Sequence, residues 1–359
     1  MQERQNGQGV AGGGNTRSDI LCHNFSFERI ISVDNLLLAW QEFVKGKRNK
    51  RDVQEFGLHL MDNLVELHSE LANKSYKHGP YKAFKINDPK PRDIHKASVR
   101  DRLLHHAIHR VLYPYFDRKF IADSFSCRVG KGTHKALDRF RAFAYKVSKN
   151  HTRTVWVLKC DIRKFFASIN HAILKQILAK HLADKNTLWL MGNVIESFHT
   201  TPTGMIYHTN KAGLPLGNLT SQLLANVYLN ELDQFMKHKL KVKYHIRYAD
   251  DFVILSPNKG ALTNLVPMID WFLLEHLKLI LHPDKLFLKT FASGIDFLGW
   301  VHFRNHRILR TATKRRMFRN LAARQLSEAM LNSYVGLLSH GNARKLALSI
   351  SRDSGIMAR

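Results

Sequence analysis

The stretch His245-Ile246-Arg247-Tyr248-Ala249-Asp250-Asp251-Phe252-Val253-Ile254-Leu255-Ser256 decides the fold. Ile246 and Tyr248 lie before a polar pair, and four apolar residues follow it. β-Branched and aromatic residues on both sides of a short break predict strand, tight turn, strand. Asp250 and Asp251 then stand at the tip of the hairpin. Adjacent carboxylates repel, and a turn with only a structural duty is better served by Asp-Gly or Asn-Gly. Two acids held together on a rigid turn suit divalent metal ions. A solvated Asp-Asp turn is the plain alternative.

Outward along the chain, another acid has a similar setting. Thr152 to Leu158 reads as a short β-branched strand running into Cys160-Asp161-Ile162-Arg163-Lys164-Phe165-Phe166, so Asp161 stands at a strand end. If that strand pairs with the hairpin, three carboxylates meet at one edge of an antiparallel sheet. Such a cluster can hold two Mg²⁺ ions roughly 4 Å apart, with Mn²⁺ able to substitute, as nucleotidyl transfer requires. One ion would lower the pKa of a primer 3′-hydroxyl, and both would neutralise charge at the reacting phosphate.

The composition agrees with a polyanionic partner. Lys and Arg number 56 against 29 Asp and Glu, a formal charge of +27, which points to nucleic acid ahead of an anionic membrane. Acids in a few places and cations everywhere suit basic walls around a metal site. The three cysteines, Cys22, Cys127 and Cys160, are far apart with no C-x-x-C, which argues against a disulfide framework and a zinc ribbon. No run of 18 apolar residues and no apolar N-terminal segment are present, so a cytoplasmic protein without a membrane partner is expected.

In chain order, Gly, Gln and Asn dominate the first residues and predict a disordered leader over 1–24. Ser32 or Asp34 can cap a helix through Leu36, Trp40 and Phe43; a basic turn at 45–51 leads to a second amphipathic helix through Phe56, Leu58, Leu60, Leu64 and Leu67. A strand is expected around Tyr81, Phe84 and Ile86, then Lys90-Pro91-Arg92 before a helix carrying His105 and His109. That pair has metal-ligand spacing, but packing or nucleic-acid contact suits it better, because no third ligand is placed nearby. Gly130-x-Gly132, with Arg128, Lys131 and His134, opens a helix in a way that suits phosphate. A long helix is expected from Thr220 to Leu240, another across 260–275, a strand over 277–281, a turn at Pro283-Asp284-Lys285 and a hairpin through Phe297-Leu298-Gly299-Trp300. From Thr311 onward the chain is helical and basic, and Lys314, Arg315 and Arg316 suit a helix that tracks phosphates.

The ordered set SFSCRVGKGTH, KCDIRKFFASI, GLPLGNLTSQLLANVYLNELD, RYADD and DFLGW resembles the sequential motifs of reverse transcriptases, over roughly 75–300. The resemblance implies an α+β right-hand polymerase: N-terminal helices and fingers over 25–150, a palm with an antiparallel sheet over 151–302 (with a fingers segment about 180–212), and a helical basic thumb over 303–359. Most members carry Gln before the glycine of the fourth motif and Ser-Pro after it. Here Leu216 precedes Gly217, and Ser221-Gln222 replaces Ser-Pro. That pattern, with GPYKAF, KPR, DRLLHHAI and CRVGKGTH, is similar to the enzymes of diversity-generating retroelements. It implies error-prone copying of a template-repeat RNA into cDNA from dNTPs, with a basic accessory variability protein as partner.

Carried over by position, the resemblance implies catalytic metal binding by Asp161, Asp250 and Asp251, with the Ile162 carbonyl. Phe166 matches the aromatic gate against a ribose 2′-hydroxyl, and Phe165 competes for that exposure. Arg128, Lys90 and Arg92 match triphosphate contacts; Leu216, Gly217 and Gln222 line the incoming nucleotide; Lys285 matches the Lys that assists pyrophosphate departure. Tyr248 and Phe297 to Trp300 match primer contacts. Ala249 in Tyr-Ala-Asp-Asp is shared with intron and retron enzymes, which keeps open a defence-associated or domesticated reverse transcriptase acting on another noncoding RNA. An idle RNA-binding scaffold is disfavoured by the three intact acids. About 60 residues follow the primer grip, room for a thumb but not for a ribonuclease H, maturase or endonuclease domain.

Overall fold

A computed structural model describes residues 26–87, 91–200, 211–323 and 328–353. The expected leader and Lys90 lie outside the described residues. The chain divides into two compact units, each assembled from separated segments: residues 1–116, 171–199 and 215–221 in the first, and the remainder in the second.

The first unit is mostly helical. Ser32 starts helix Val33–Phe43 by accepting the Asn35 N–H on its hydroxyl, which satisfies one of the free amides of the first turn. Leu36, Ala39 and Phe43 are its buried stripe. The next expected helix is two, Arg51–Leu58 and Leu60–Ala72, broken at His59. The second buries Leu64, Leu67 and Leu71, whereas Leu58, expected on the apolar face, is 79% exposed just before the break. Strands β1 (Lys82–Ile86) and β2 (Arg92–Lys96) pair as an antiparallel hairpin, so a strand precedes helix Val99–Asp117 where sequence reading placed none. Helices His171–Ala179 and Lys185–Glu196 complete the unit. Asp184 caps the latter and accepts the Phe27 N–H, tying it to the first described helix.

The second unit is built on a four-stranded antiparallel sheet of order β4-β5-β3-β6: β3 is Trp156–Cys160, β4 His245–Tyr248, β5 Asp251–Ser256 and β6 Phe287–Thr290. β5 buries Phe252, Val253, Ile254 and Leu255, as expected of a strand covered on both faces. Val157, Ile246, Val253 and Leu255 join Phe140, Phe143 and Ala144 of helix Thr133–Val147 in one core. Helix Lys259–Leu277 also packs on β3 and β5. Each fully buried side chain of this kind contributes about 1.5–3 kcal/mol.

The expected strand over 277–281 is absent. Helix Lys259–Leu277 runs to its end and stops at Lys278, at φ +50°, and only Leu281 bridges, to Ile162. The strand that pairs with β3 is β6, after a 3₁₀ turn at Pro283–Lys285. The helix expected to reach Leu240 is α-helical over Leu219–Gln234 and then widens into a π turn, Phe235–Lys239. A three-stranded sheet follows, β7 (Ile295–Phe297), β8 (Trp300–His302) and β9 (Arg307–Leu309). Leu298 and Gly299, at φ +50° and +86°, form the β7–β8 turn. Helices Thr311–Ala323, Glu328–Ser339 and Arg344–Asp353 end the described chain.

Candidate active site

Register brings the acids together. Cys160 lies opposite Phe252 in the β3–β5 pair, and continuing that register by one residue sets Asp161 against Asp251. Tyr248 pairs with Asp251 across β4 and β5, which leaves Ala249 and Asp250 as the two-residue turn. Ala249 adopts φ +54°, a left-handed conformation that costs an alanine on the order of 1 kcal/mol and is kept where function or surrounding contacts demand it. All three acids are partly buried at this sheet end.

Two lysines are tied to these acids. Lys285, from the 3₁₀ turn, donates to Asp161 Oδ1 at 2.8 Å. Lys159, buried on β3 two residues before Asp161 and therefore on its face, lies 3.2 Å from Asp251 Oδ2 and donates to the Asp296 carbonyl at 2.9 Å. Burial pushes the Asp251 carboxyl up to about 6, the charges of Asp161 and Asp250 push the same way, and Lys159 opposes them.

These residues fit a divalent cation. Asp251 Oδ1 is buried with no hydrogen-bond partner, an expensive state for a carboxylate oxygen unless a cation meets it. The donors are all hard oxygens, which suits Mg²⁺ or Mn²⁺. The carboxylates are not drawn round one point: among the described residues no group of three His, Cys, Asp or Glu side chains is closed around an ion-sized space. Two ammonium groups hold that neighbourhood instead. Ile162 is fully buried beside the cluster.

The two phenylalanines separate cleanly. Phe165 is buried at 3% exposure, whereas Phe166 is half-buried beside it, at ring centroids 5.3 Å apart. The Phe166 carbonyl accepts the Leu214 N–H, joining the start of the fourth motif to this segment. Tyr248 accepts a hydrogen bond from Thr133 at the start of helix Thr133–Val147.

Several expected contacts come out otherwise. Arg128 is consumed internally: it donates to Asp117 Oδ1 and to the carbonyls of Asp117, Ile121 and Ser124, with its side chain 6% exposed. A guanidinium with four internal acceptors pins a loop and has little left for a triphosphate. Lys131 donates to the Ala122 carbonyl, so the basic Gly130-x-Gly132 loop closes on itself. Phe297 and Trp300 are core side chains, at 0% and 1% exposure, and are not open to a primer; Leu298 and Gly299 at the turn are half-buried. On helix Thr311–Ala323, Lys314 and Arg315 are exposed, while Arg316 is half-buried.

Leu216 and Gly217 belong to the first unit and Gln222 to the second. Leu216 is half-buried, and its carbonyl accepts the His95 N–H of β2 at 3.0 Å. Gly217 has φ +112°, and a Cβ there would stand 3.0 Å from Ile94, so both backbone and space require glycine. Asn218 donates to the His95 carbonyl, and Thr220 bonds His105. Arg92 is exposed at the start of β2. His105 and His109 are not a metal pair: His105 is buried between Thr220 and His78, and His109 stacks on Tyr113.

Lys159 was missed by sequence reading, as was a buried pair behind the hairpin. Arg247 is bidentate to Asp233, both at 0% exposure, and also donates to Asn226 and to the Ala249 carbonyl.

An antiparallel sheet bearing acids at the ends of its two central strands is the arrangement of right-hand polymerases. The model of the family described as reverse transcriptase (RNA-dependent DNA polymerase) matches residues 84–302, and the chain belongs to that family. Among curated proteins, the chain is similar to Protein YkfC of Escherichia coli strain K12, at 24% identity over 69% of this chain and 71% of that one. It is also similar to the group II intron-encoded protein LtrA of Lactococcus lactis, at 26% identity over 45% of this chain and only 25% of LtrA. The chain thus spans about a quarter of that relative's length. Among solved structures it is similar to apo telomerase from Candida tropicalis, with TM-score 0.48 and 15% identity, over 70% of this chain and 60% of that one. Among the described residues, no helix is long and apolar enough to cross a membrane.

Proposed function

We propose that the chain copies a template-repeat RNA into error-prone cDNA by two-metal nucleotidyl transfer, as the polymerase of a diversity-generating retroelement. The observation that carries the polymerase reading is the register that sets Asp161 against Asp251 beside Asp250, with one carboxylate oxygen left unpartnered. Asp161, Asp250, Asp251 and the Ile162 carbonyl would hold the ions. Mg²⁺ or Mn²⁺ bound there would supply charge neutralisation at the reacting phosphate and a more acidic 3′-hydroxyl. Lys285, 44% exposed on its bond to Asp161, is free to swing from the acid to the departing pyrophosphate. In this reading the first unit serves as fingers, the sheet of the second as palm, and the helices from Thr311 as thumb. Template RNA, primer and dNTPs are the substrates and an accessory variability protein the partner.

Phe166, half-exposed where Phe165 is buried, is the residue able to crowd a ribose 2′-hydroxyl. Phe166→Ala is expected to raise ribonucleotide incorporation relative to dNTP use about 10–200-fold, the worth of one steric exclusion in a pocket. Unchanged discrimination in single-nucleotide extension would reassign the gate.

Leu216 supports the mutagenic subtype. It offers an incoming nucleotide an aliphatic surface where most members of the family place an amide, which removes a hydrogen-bonding check on base geometry. Leu216→Gln is expected to lower misincorporation opposite template adenine about 2–10-fold, the net worth of one hydrogen bond. Sequencing of cDNA made on the native RNA checks this. Ala249 does not assign the subtype, and the second reading, a defence-associated or domesticated enzyme acting on another RNA, gains if adenine errors are absent from both proteins.

A further inference from the structure

Away from the carboxylates, the second unit carries an open cleft of about 250 Å³ lined by Arg141, Ala142, Tyr145, His151, Phe291 and Arg304. No lining residue is acidic. Arg141 and Arg304 are exposed, and neither has an ion-pair or side-chain hydrogen-bond partner among the described residues. The positive charge of Arg141 is felt nearby: it helps to lower the proton affinity of His302, after burial and Arg307. Tyr145 is 48% exposed, a large ring left open on a helix whose other face is core.

The cleft is held rigidly. Lys149, Asn150 and His151 take φ of +49°, +60° and +66°, three successive left-handed residues that are not glycine. Such a run costs several kcal/mol unless its surroundings impose it. Buried Ser148 imposes it: its hydroxyl accepts the His151 N–H at 2.8 Å, and its carbonyl accepts the Arg153 N–H at 2.9 Å. The Asn150 N–H closes on the Tyr145 carbonyl at 3.0 Å. The result sets the His151 ring edge-on to Tyr145, centroids 5.3 Å apart at 76°. Opposite, Arg304 stands in the β8–β9 turn, where Phe303 donates to the His306 carbonyl and stacks on its ring.

We infer that this cleft binds one unpaired nucleotide of the template RNA outside the catalytic centre, its base on the Tyr145–His151 corner and its flanking phosphates on Arg141 and Arg304. The inference rests on the reading of the chain as an RNA-copying polymerase. An aromatic face beside cations on an apolar floor is the chemistry that holds single-stranded nucleic acid, whereas a paired base cannot reach a stacking corner. The volume is below the ~300–1,000 Å³ of drug-sized ligand sites, which suits a single nucleotide unit. Such a contact would keep a structured RNA on the protein while its template segment moves.

The test uses the full chain with its catalytic centre filled by a short RNA–DNA primer–template, plus an unstructured RNA octamer containing 4-thiouridine. Irradiation is expected to cross-link the octamer within residues 141–151. Tyr145→Ala, and separately Arg141→Ala with Arg304→Ala, are each expected to cut that yield at least about fivefold, while primer extension on the short duplex stays unchanged. The arginine pair is also expected to reduce the salt slope of octamer binding by about 0.7 for each phosphate it no longer neutralises. Cross-linking absent from 141–151, or unchanged in the variants, overturns the inference. A fall in the arginine variant with Tyr145→Ala neutral overturns it too, because diffuse charge would then suffice. Cross-linking of the matching DNA octamer alone overturns the assignment to RNA. Extension by the wild-type chain reads the polymerase function separately, so the two can fail independently.

Discussion

Asp250→Asn is expected to abolish dTMP incorporation on a poly(rA)–oligo(dT) template with Mg²⁺, a loss of at least about 10³-fold. The substitution keeps the shape of the side chain and removes one negative charge from the turn between β4 and β5, which weakens the hold on a cation facing the reacting phosphate. Asp161→Asn is expected to do the same and to release Lys285. Asp251→Asn should separate function from stability. Its folded carboxyl titrates at about 6, above the ordinary 3.8, so ionisation is disfavoured in the folded chain. The wild-type chain without metal therefore loses stability as pH rises from about 4 to about 6, and the loss is complete above the folded value. Asp251→Asn removes that dependence and is expected to melt higher than wild type at pH 7, because Lys159 keeps the Asp296 carbonyl as partner. Activity assays beside thermal scans at pH 4.5 and pH 7 check both halves. An Asp250→Asn protein that still extends primers would remove the metal-binding role from the turn.

Much of this site was legible in local pattern. The Asp-Asp turn precedes a short run, Phe252 to Leu255, that is buried on both faces and therefore apolar throughout. Asp161 was legible for the same reason at the end of β3. What was not legible lies in partners distant in the chain. Lys159 lies just past the strand expected over Thr152 to Leu158, where nothing local marks it; it is buried on β3 because Asp251 and Asp296, about 90 and 140 residues away, meet it. Arg128 reads as a phosphate ligand because its loop is basic and glycine-rich, yet Asp117, eleven residues earlier, had already claimed it. The strand expected at 277–281 and found at 287–290 shows the limit of period counting in short apolar runs. Leu277 completes a helix whose stop is a left-handed Lys278, a signal far weaker than glycine.

Arg247→Met is expected to be the most destabilising single change near the site. Arg247 and Asp233 are wholly buried, and the guanidinium makes three bonds to the carboxylate at 2.7, 2.9 and 3.0 Å, one to Asn226 and one to the Ala249 carbonyl. Burial alone drives the Asp233 carboxyl toward its protonated form, and the Arg247 charge pulls the other way. Removing the arginine leaves that buried acid with only His245, whose Nε2 lies 3.8 Å away and whose burial disfavours its charge, at a cost of about 3–5 kcal/mol. For a unit of this size that is a fall in melting temperature of roughly 6–20 °C. Replacing both members, Asp233→Leu with Arg247→Met, is expected to restore most of the loss, since two apolar side chains of similar volume need no desolvation to be repaid. Activity is expected not to return with stability. Arg247 is also the clamp on the carbonyl of Ala249, the residue whose left-handed backbone aims Asp250. Without it the turn can relax toward ordinary φ, and an error of 1 Å in a catalytic carboxylate costs on the order of 10²-fold in rate. A double variant that melts like wild type and extends primers like wild type would assign the pair to stability alone; a stable but slow one makes Arg247 the residue that positions the catalytic turn.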